Sequence, residues 1–150
     1  MSRNSQKDRR LREKAFGHYY KKHPFCDLER CYYCGDYLAE GGVGDHVPPI
    51  SWAFALGYSY MVENENAPFI IVPSCLNCNN ILGNKKYFTL RQRKSYVAEW
   101  LRHKYRHLRA SKTWESDEID ELGDGLRNFV ASNDDFRRFI ERRISWAESD

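Results

Sequence analysis

Two Cys-x2-Cys pairs, Cys31/Cys34 and Cys75/Cys78, stand 40 residues apart in a chain of 150. No other feature limits the fold as strongly. One pair presents two thiolates at a bite suited to a tetrahedral ion, and two pairs complete the four-sulfur shell that zinc favours. For the pairs to meet, the chain between them must run out and return, so a strand–loop–strand is expected there. A closed shell of four sulfurs has no open position for chemistry. The ion is therefore expected to be structural and to supply folding energy to a centre poor in large apolar residues. The bland alternative is four buried free thiols. The fifth cysteine, Cys26, either substitutes as a ligand or packs as a small apolar residue; packing is favoured.

Location bears on how these cysteines are read. No run of about 18 apolar residues suits a membrane span. The N-terminal stretch, with Asp8 and Glu13 among its bases, lacks the apolar core of a secretory signal. A reducing, cytoplasmic setting is the expectation, and there clustered cysteines bind metal more readily than they form disulfides.

The net charge of +3 conceals a strong segregation. Residues 1–23 carry eight Lys/Arg and two acids, whereas residues 24–84 carry one base and seven acids. Residues 85–110 carry nine bases and one acid, and residues 111–150 carry six bases and eleven acids. Two basic segments thus flank an acidic, cysteine-bearing centre. Basic segments suit a phosphate backbone and acidic ones a divalent cation, although solvated helix faces would have the same composition.

Hydrophobic periodicity divides the chain into an arm (1–24), a Cys-rich centre (25–88) and a helical region (89–150). A basic helix is expected over 5–22, ending before Pro24, or else a loose arm that orders on binding. Gly35 lets the first knuckle turn sharply. A short strand is expected at Val43–Val47, stopped by Pro48 and Pro49, and a helix at 51–61. The β-rich run Phe69–Val72 is the best strand candidate. A helix or knuckle follows, with Gly83 as its stop. Thr89 and Gln92 form a capping-box pattern opening a helix to about residue 109, with Tyr96, Val97, Trp100, Leu101, Tyr105 and Leu108 as its apolar stripe. Two further helices are expected. One starts near Ser116, with Ile119, Leu122, Leu126, Phe129 and Val130 inward. The other starts near Ser132 or Asn133, with Phe136, Phe139, Ile140 and Ile144 inward. Asp117/Glu118 and Asp134/Asp135 would fall in their first turns, where the helix dipole favours acids.

The order CYYCG…GDHVPPIS…IVPSCLNCN resembles the HNH (ββα-metal) nuclease motif over residues 31–84, about a third of the chain. The resemblance implies a zinc-stabilised core of two strands and a helix; with the basic N-terminal segment and the helical C-terminal region read above, the expected fold is α+β. It implies a metal-dependent endonuclease hydrolysing DNA phosphodiester bonds. Asp45 and Asn79 would hold a catalytic Mg²⁺ or Mn²⁺, and His46 would be the general base. The chemistry of these residues agrees: a carboxylate and an amide oxygen make a sparse, hard site, and an imidazole titrates near neutrality. The sequence departs from the family at Ile70, where an Asn is usual, leaving Asn64 or Asn66 as more distant braces for the His-bearing loop. Leu82 stands where a Lys often follows, with Lys85 and Lys86 as the nearest bases.

Lys85, Lys86, Arg91, Arg93 and Lys94 are the expected nucleic-acid contacts, continued along the helix by Arg102, Lys104, Arg106 and Arg109. Tyr19, Tyr20 and Tyr33 are open between base stacking and covering the knuckle or core, whereas Tyr32 is expected to cover the knuckle. His103 and His107 have metal-binding spacing but no third partner, so a basic surface is expected. The acidic C-terminal helices would buttress the core or contact a second copy or a partner protein. Two rivals share the cysteines without needing Asp45, His46 and Asn79 together: a non-catalytic zinc-knuckle module binding nucleic acid, and an interaction adaptor.

Overall fold

The computed structural model describes residues 6–8, 10–11, 14, 17–39, 41–52, 69–83 and 85–149. The fold is α+β. Its sheet has three strands, β1 (Lys21–Lys22), β2 (Val43–Val47) and β3 (Ile70–Ser74), with β3 in the middle. β1 runs parallel to β3 and β2 antiparallel to it, with Asp45 opposite Val72 and His46 opposite Ile71. Both strands expected from the sequence are present. The N-terminal segment differs in part. Gln6–Asp8, Arg10, Leu11 and Lys14 are helical, but Gly17–Tyr19 tightens into a 3-10 turn and Lys21–Lys22 joins the sheet. The edge of β3 offers unpaired backbone groups there, and Lys21 N–H takes the Phe69 carbonyl at 3.0 Å.

The second knuckle is the start of helix α1 (Leu76–Leu82). Cys75 is its N-cap, accepting from Cys78 N–H at 3.3 Å, and Gly83 ends it at φ +46°. Helix α2 (Leu90–Lys104) opens with the expected Thr89/Gln92 capping box. It yields at Tyr105 to a short helix α3 (Arg106–Ala110), and α4 (Ser116–Asp120) follows with its own Glu115/Glu118 box.

The last helix, α5 (Asp124–Glu148), is continuous over 25 residues. The separate start expected at Ser132–Asn133 does not occur, and Asp134/Asp135 lie mid-helix. No Gly or Pro interrupts residues 126–148, so potential cap residues alone do not break a helix whose tertiary contacts continue. Leu126, Phe129 and Phe136, expected inward, are 53%, 69% and 44% exposed. Val130, also expected inward, is buried, but it is the C-terminal half of α5 that enters the main core, with Ile140, Ile144 and Ala147 joining Val97, Ala98 and Leu101 of α2. The same core includes Val47, Val72, Ile81, Leu82 and three of the four cysteines as buried members, so sheet, knuckles and both long helices share one interior.

Ile50, Ser51 and Trp52 are helical; the rest of the helix expected at 51–61, and Asn64 and Asn66, lie outside the described residues. Among the described residues no helix is long and apolar enough to cross a membrane.

Candidate functional site

The four cysteines converge. Gly35 adopts φ +75°, which a side chain would strain, and the first knuckle closes with Gly35 N–H on the Cys31 carbonyl at 2.9 Å. Tyr32 N–H reaches the Pro73 carbonyl at 2.8 Å, fastening this knuckle to β3 just before the second one begins. The sulfurs of Cys31, Cys34, Cys75 and Cys78 all lie within 4.8 Å of one another, with Cys34 and Cys75 at 3.8 Å. A tetrahedron with zinc–sulfur bonds of about 2.3 Å has edges of about 3.8 Å, so the cluster fits a zinc ion. Among the described residues it is the one group of three or more Cys, His, Asp and Glu side chains so placed. Cys26 stands outside it, its thiol turned to the His23 carbonyl.

Four thiols this close cannot all ionise without a counter-charge. Hydrogen bonds from Cys34, Cys75 and Cys78 hold the Cys31 thiol far below its ordinary range, while hydrogen bonding with Cys31 drives Cys34 and Cys78 far above theirs. The sulfurs alone share protons unevenly. A divalent ion lets all four ionise together.

Asp45 and His46 sit on β2, where alternation sends them to opposite faces. Asp45 shares the inner face with Val47 and is 7% exposed. Arg93 Nη2 donates to its Oδ1 at 2.9 Å and Nε to its Oδ2 at 3.0 Å, and the Tyr33 hydroxyl also donates to Oδ2. Arg93 Nη1 reaches the Tyr87 carbonyl at 3.3 Å. Burial pushes the Asp45 carboxyl upward, and Arg93 and Tyr33 oppose that without cancelling it. Tyr33 is pushed well above its usual range by burial and by Asp45, which keeps its hydroxyl a donor. Three donors on one carboxylate describe an ionised Asp45.

His46 is half-buried on the other face, edge-on to the Tyr20 ring at 4.8 Å. Asn79 is the fourth residue of α1 and is half-buried. The motif residues thus share one strand–strand–helix unit, but Asp45 and His46 do not converge on one face.

One expectation about a surface residue needs correction, and one open alternative is decided. Arg93, expected on nucleic acid, is 1% exposed and engaged by Asp45 and Tyr33. Tyr33 and Tyr20, open to base stacking from sequence, are buried, their hydroxyls on Asp45 and on the Pro48 carbonyl. Lys85, Lys86 and Arg91 are exposed, as are Arg102, Lys104, Arg106 and Arg109 further along α2 and α3, and Lys94 is half-buried. His103 and His107 are exposed too.

Sequence reasoning missed Arg143 entirely. Its guanidinium comes from α5 to within 4.0 Å of Cys78 Sγ and 3.4 Å of the Asp36 carboxylate. A signal existed for both arginines. Arg93 precedes Val97 and Leu101 at four-residue steps, and Arg143 lies between Ile140 and Ala147, so each occupies an apolar stripe.

Comparison of the chain with models of known families, with curated proteins and with solved structures finds no match to any of them.

Proposed function

We propose that this chain is a metal-dependent nuclease of the HNH type, with the four-cysteine zinc cluster as its scaffold. The observation that carries this reading is the continuity of β2, β3 and α1. The Asp45-His46 strand pairs antiparallel with β3, and β3 passes through Cys75 directly into the helix bearing Asn79. This is the strand–strand–helix order that the motif implies.

In this reading His46 takes the proton of the attacking water, a step suited to an imidazole near neutral pH. The Tyr20 ring beside it restricts how the imidazole turns. Lys85, Lys86 and Arg91, with Lys104 and Arg106 further along, hold the DNA backbone by charge, whereas Lys94 is turned to the Ser149 carbonyl at 2.8 Å and Arg102 and Arg109 pair with Glu148 and Glu141. A Mg²⁺ or Mn²⁺ ion, when bound, would polarise the phosphate and stabilise the leaving oxygen. The donor set fits such an ion only in part. Asn79 offers an amide oxygen, but both Asp45 oxygens are engaged, so Asp45 must exchange a guanidinium hydrogen bond for the metal.

That engagement, with His46 on the opposite face, favours a second reading: a non-catalytic zinc module that binds nucleic acid. Nicking of supercoiled plasmid in Mg²⁺ or Mn²⁺ separates the two. The nuclease reading expects wild-type cutting and a loss of about 100-fold or more in His46→Ala at equal zinc content. Undiminished cutting by that variant removes His46 from the chemistry. Salt-sensitive DNA retention by a wild-type protein that does not cut supports the binding module.

A further inference from the structure

We infer that Arg143 is part of the metal centre: a buried cation that hydrogen-bonds the metal-bound sulfurs, protects them from attack and couples zinc retention to the docking of α5. The inference rests on zinc occupying the four cysteines and does not depend on catalysis.

Zinc with four thiolates carries a net charge of −2, and a buried charge needs compensation. Arg143 is 65 residues from Cys78 in sequence and 5% exposed. A cation does not lie this deep without an anionic partner. Its Nη2 faces Cys78, and its Nε has no hydrogen-bond partner among the described residues, approaching the Asp36 carboxylate only at 3.4 Å. One half-buried carboxylate at that distance is thin compensation. A dianionic cluster beside it completes the balance, and a weakly hydrated guanidinium suits such a dry site.

The surroundings give the guanidinium a second task. A cavity of about 670 Å³ between the first knuckle and α5 is walled by Cys34, Asp36 and Arg143 together. It is an approach by which a chelator or electrophile reaches the sulfur shell. Close by, Trp146 of α5 lies over Gly35 and donates from Nε1 to the Tyr32 carbonyl at 2.9 Å. The last turns of α5 therefore touch the knuckle through a charge and a ring at once.

Hydrogen bonds from a cation withdraw electron density from a thiolate. Removing them should leave zinc coordinated but make the sulfurs better nucleophiles. The full-length protein is compared with Arg143→Met, which keeps the length, and Arg143→Lys, which keeps the charge. Zinc content, zinc release to a chromophoric chelator, and the sites first alkylated by N-ethylmaleimide are measured. The sulfur-to-metal absorption band of the Co²⁺-substituted protein is also recorded.

One zinc per chain is expected in all three proteins. Arg143→Met should release it at least 10-fold faster, with Cys34 alkylated first and the cobalt band at longer wavelength. Arg143→Lys should fall between. Release, alkylation and band position unchanged in Arg143→Met overturn the inference, since a packing role alone would not move the band. If Arg143→Met does not fold, a cobalt band in Arg143→Lys identical to wild type overturns it equally. Wild-type protein without zinc overturns the metal centre itself.

Discussion

Arg93 and Arg143 are both buried cations carried by helices, yet their settings differ. Arg93 is satisfied by protein alone: two hydrogen bonds to Asp45, one to the Tyr87 carbonyl, and the Tyr33 oxygen at 3.2 Å. Among the described residues Arg143 has one long approach to Asp36, one to a sulfur, and the Phe139 ring 5.4 Å from its Cζ. The first is a closed ion pair that locks α2 onto β2 and the first knuckle. The second is complete only when the sulfurs are anionic. The pair teaches that two helices can dock on one core by charge, one autonomously and one on condition that metal is present.

Zinc removal should produce the largest effect and would break the contrast if it did not. Binding to such sites is worth about 10–16 kcal/mol, and that is folding energy. A strong chelator should abolish cooperative unfolding followed by circular dichroism, as should Cys78→Ser. Retention of a full native transition would mean that the core stands without its metal.

Arg93→Met comes next. Removing one partner of a buried pair costs about 3–5 kcal/mol, read from urea unfolding. The deficit should depend on pH with a definite sign. Without Arg93, the Asp45 carboxyl is raised further above its unfolded value by burial. An acid so raised imposes a penalty that is fully present above its folded pKa and fades as pH falls through it. Arg93→Met should therefore be closer to wild type near pH 4–5 than at pH 7. A pH-independent gap would mean that Asp45 is not the group left uncompensated.

Gly35→Ala should cost about 2 kcal/mol or more. It combines a positive φ with a new Cβ 2.5 Å from the Trp146 ring. The loss should appear together with faster zinc release, because both features belong to the α5–knuckle contact. Glu141→Gln provides the small end of the scale. Its pair with Arg109 also ties α5 to the preceding helices, but at 2.6 Å between partly exposed groups. A change below about 1 kcal/mol is expected, diminishing in high salt. A larger change would show that surface pairs, rather than the two buried arginines, hold the helices down.

Much of the site was legible because its signals are local. Thr89 and Gln92 form the capping box they announced, and Gly35 and Gly83 take positive φ where the knuckle turns and the helix stops. What failed was the assignment of which face a charged residue takes. Charge density groups Arg93 with its basic neighbours, although its place on the apolar stripe sets it inside. The long α5 was divided at Ser132–Asn133 because cap-forming residues look alike whether or not a helix ends near them. Leu126 and Phe129 lie on the apolar face yet are exposed, because periodicity reports a face without reporting whether anything packs against it.

The residue order alone established that four sulfurs would meet, that a strand carrying Asp45-His46 would return through another strand to Cys75, and that helices would follow. Spacing and backbone preference act over a few residues, and sequence displays them directly. Only the tertiary structure decided that Asp45 faces Arg93 and Tyr33 rather than open solvent, that His46 turns to Tyr20, and that the final helix brings Arg143 to the sulfurs. These pairings reach from 12 to 65 residues along the chain, and they arise because a buried charged or polar group must find its complement wherever packing has placed it.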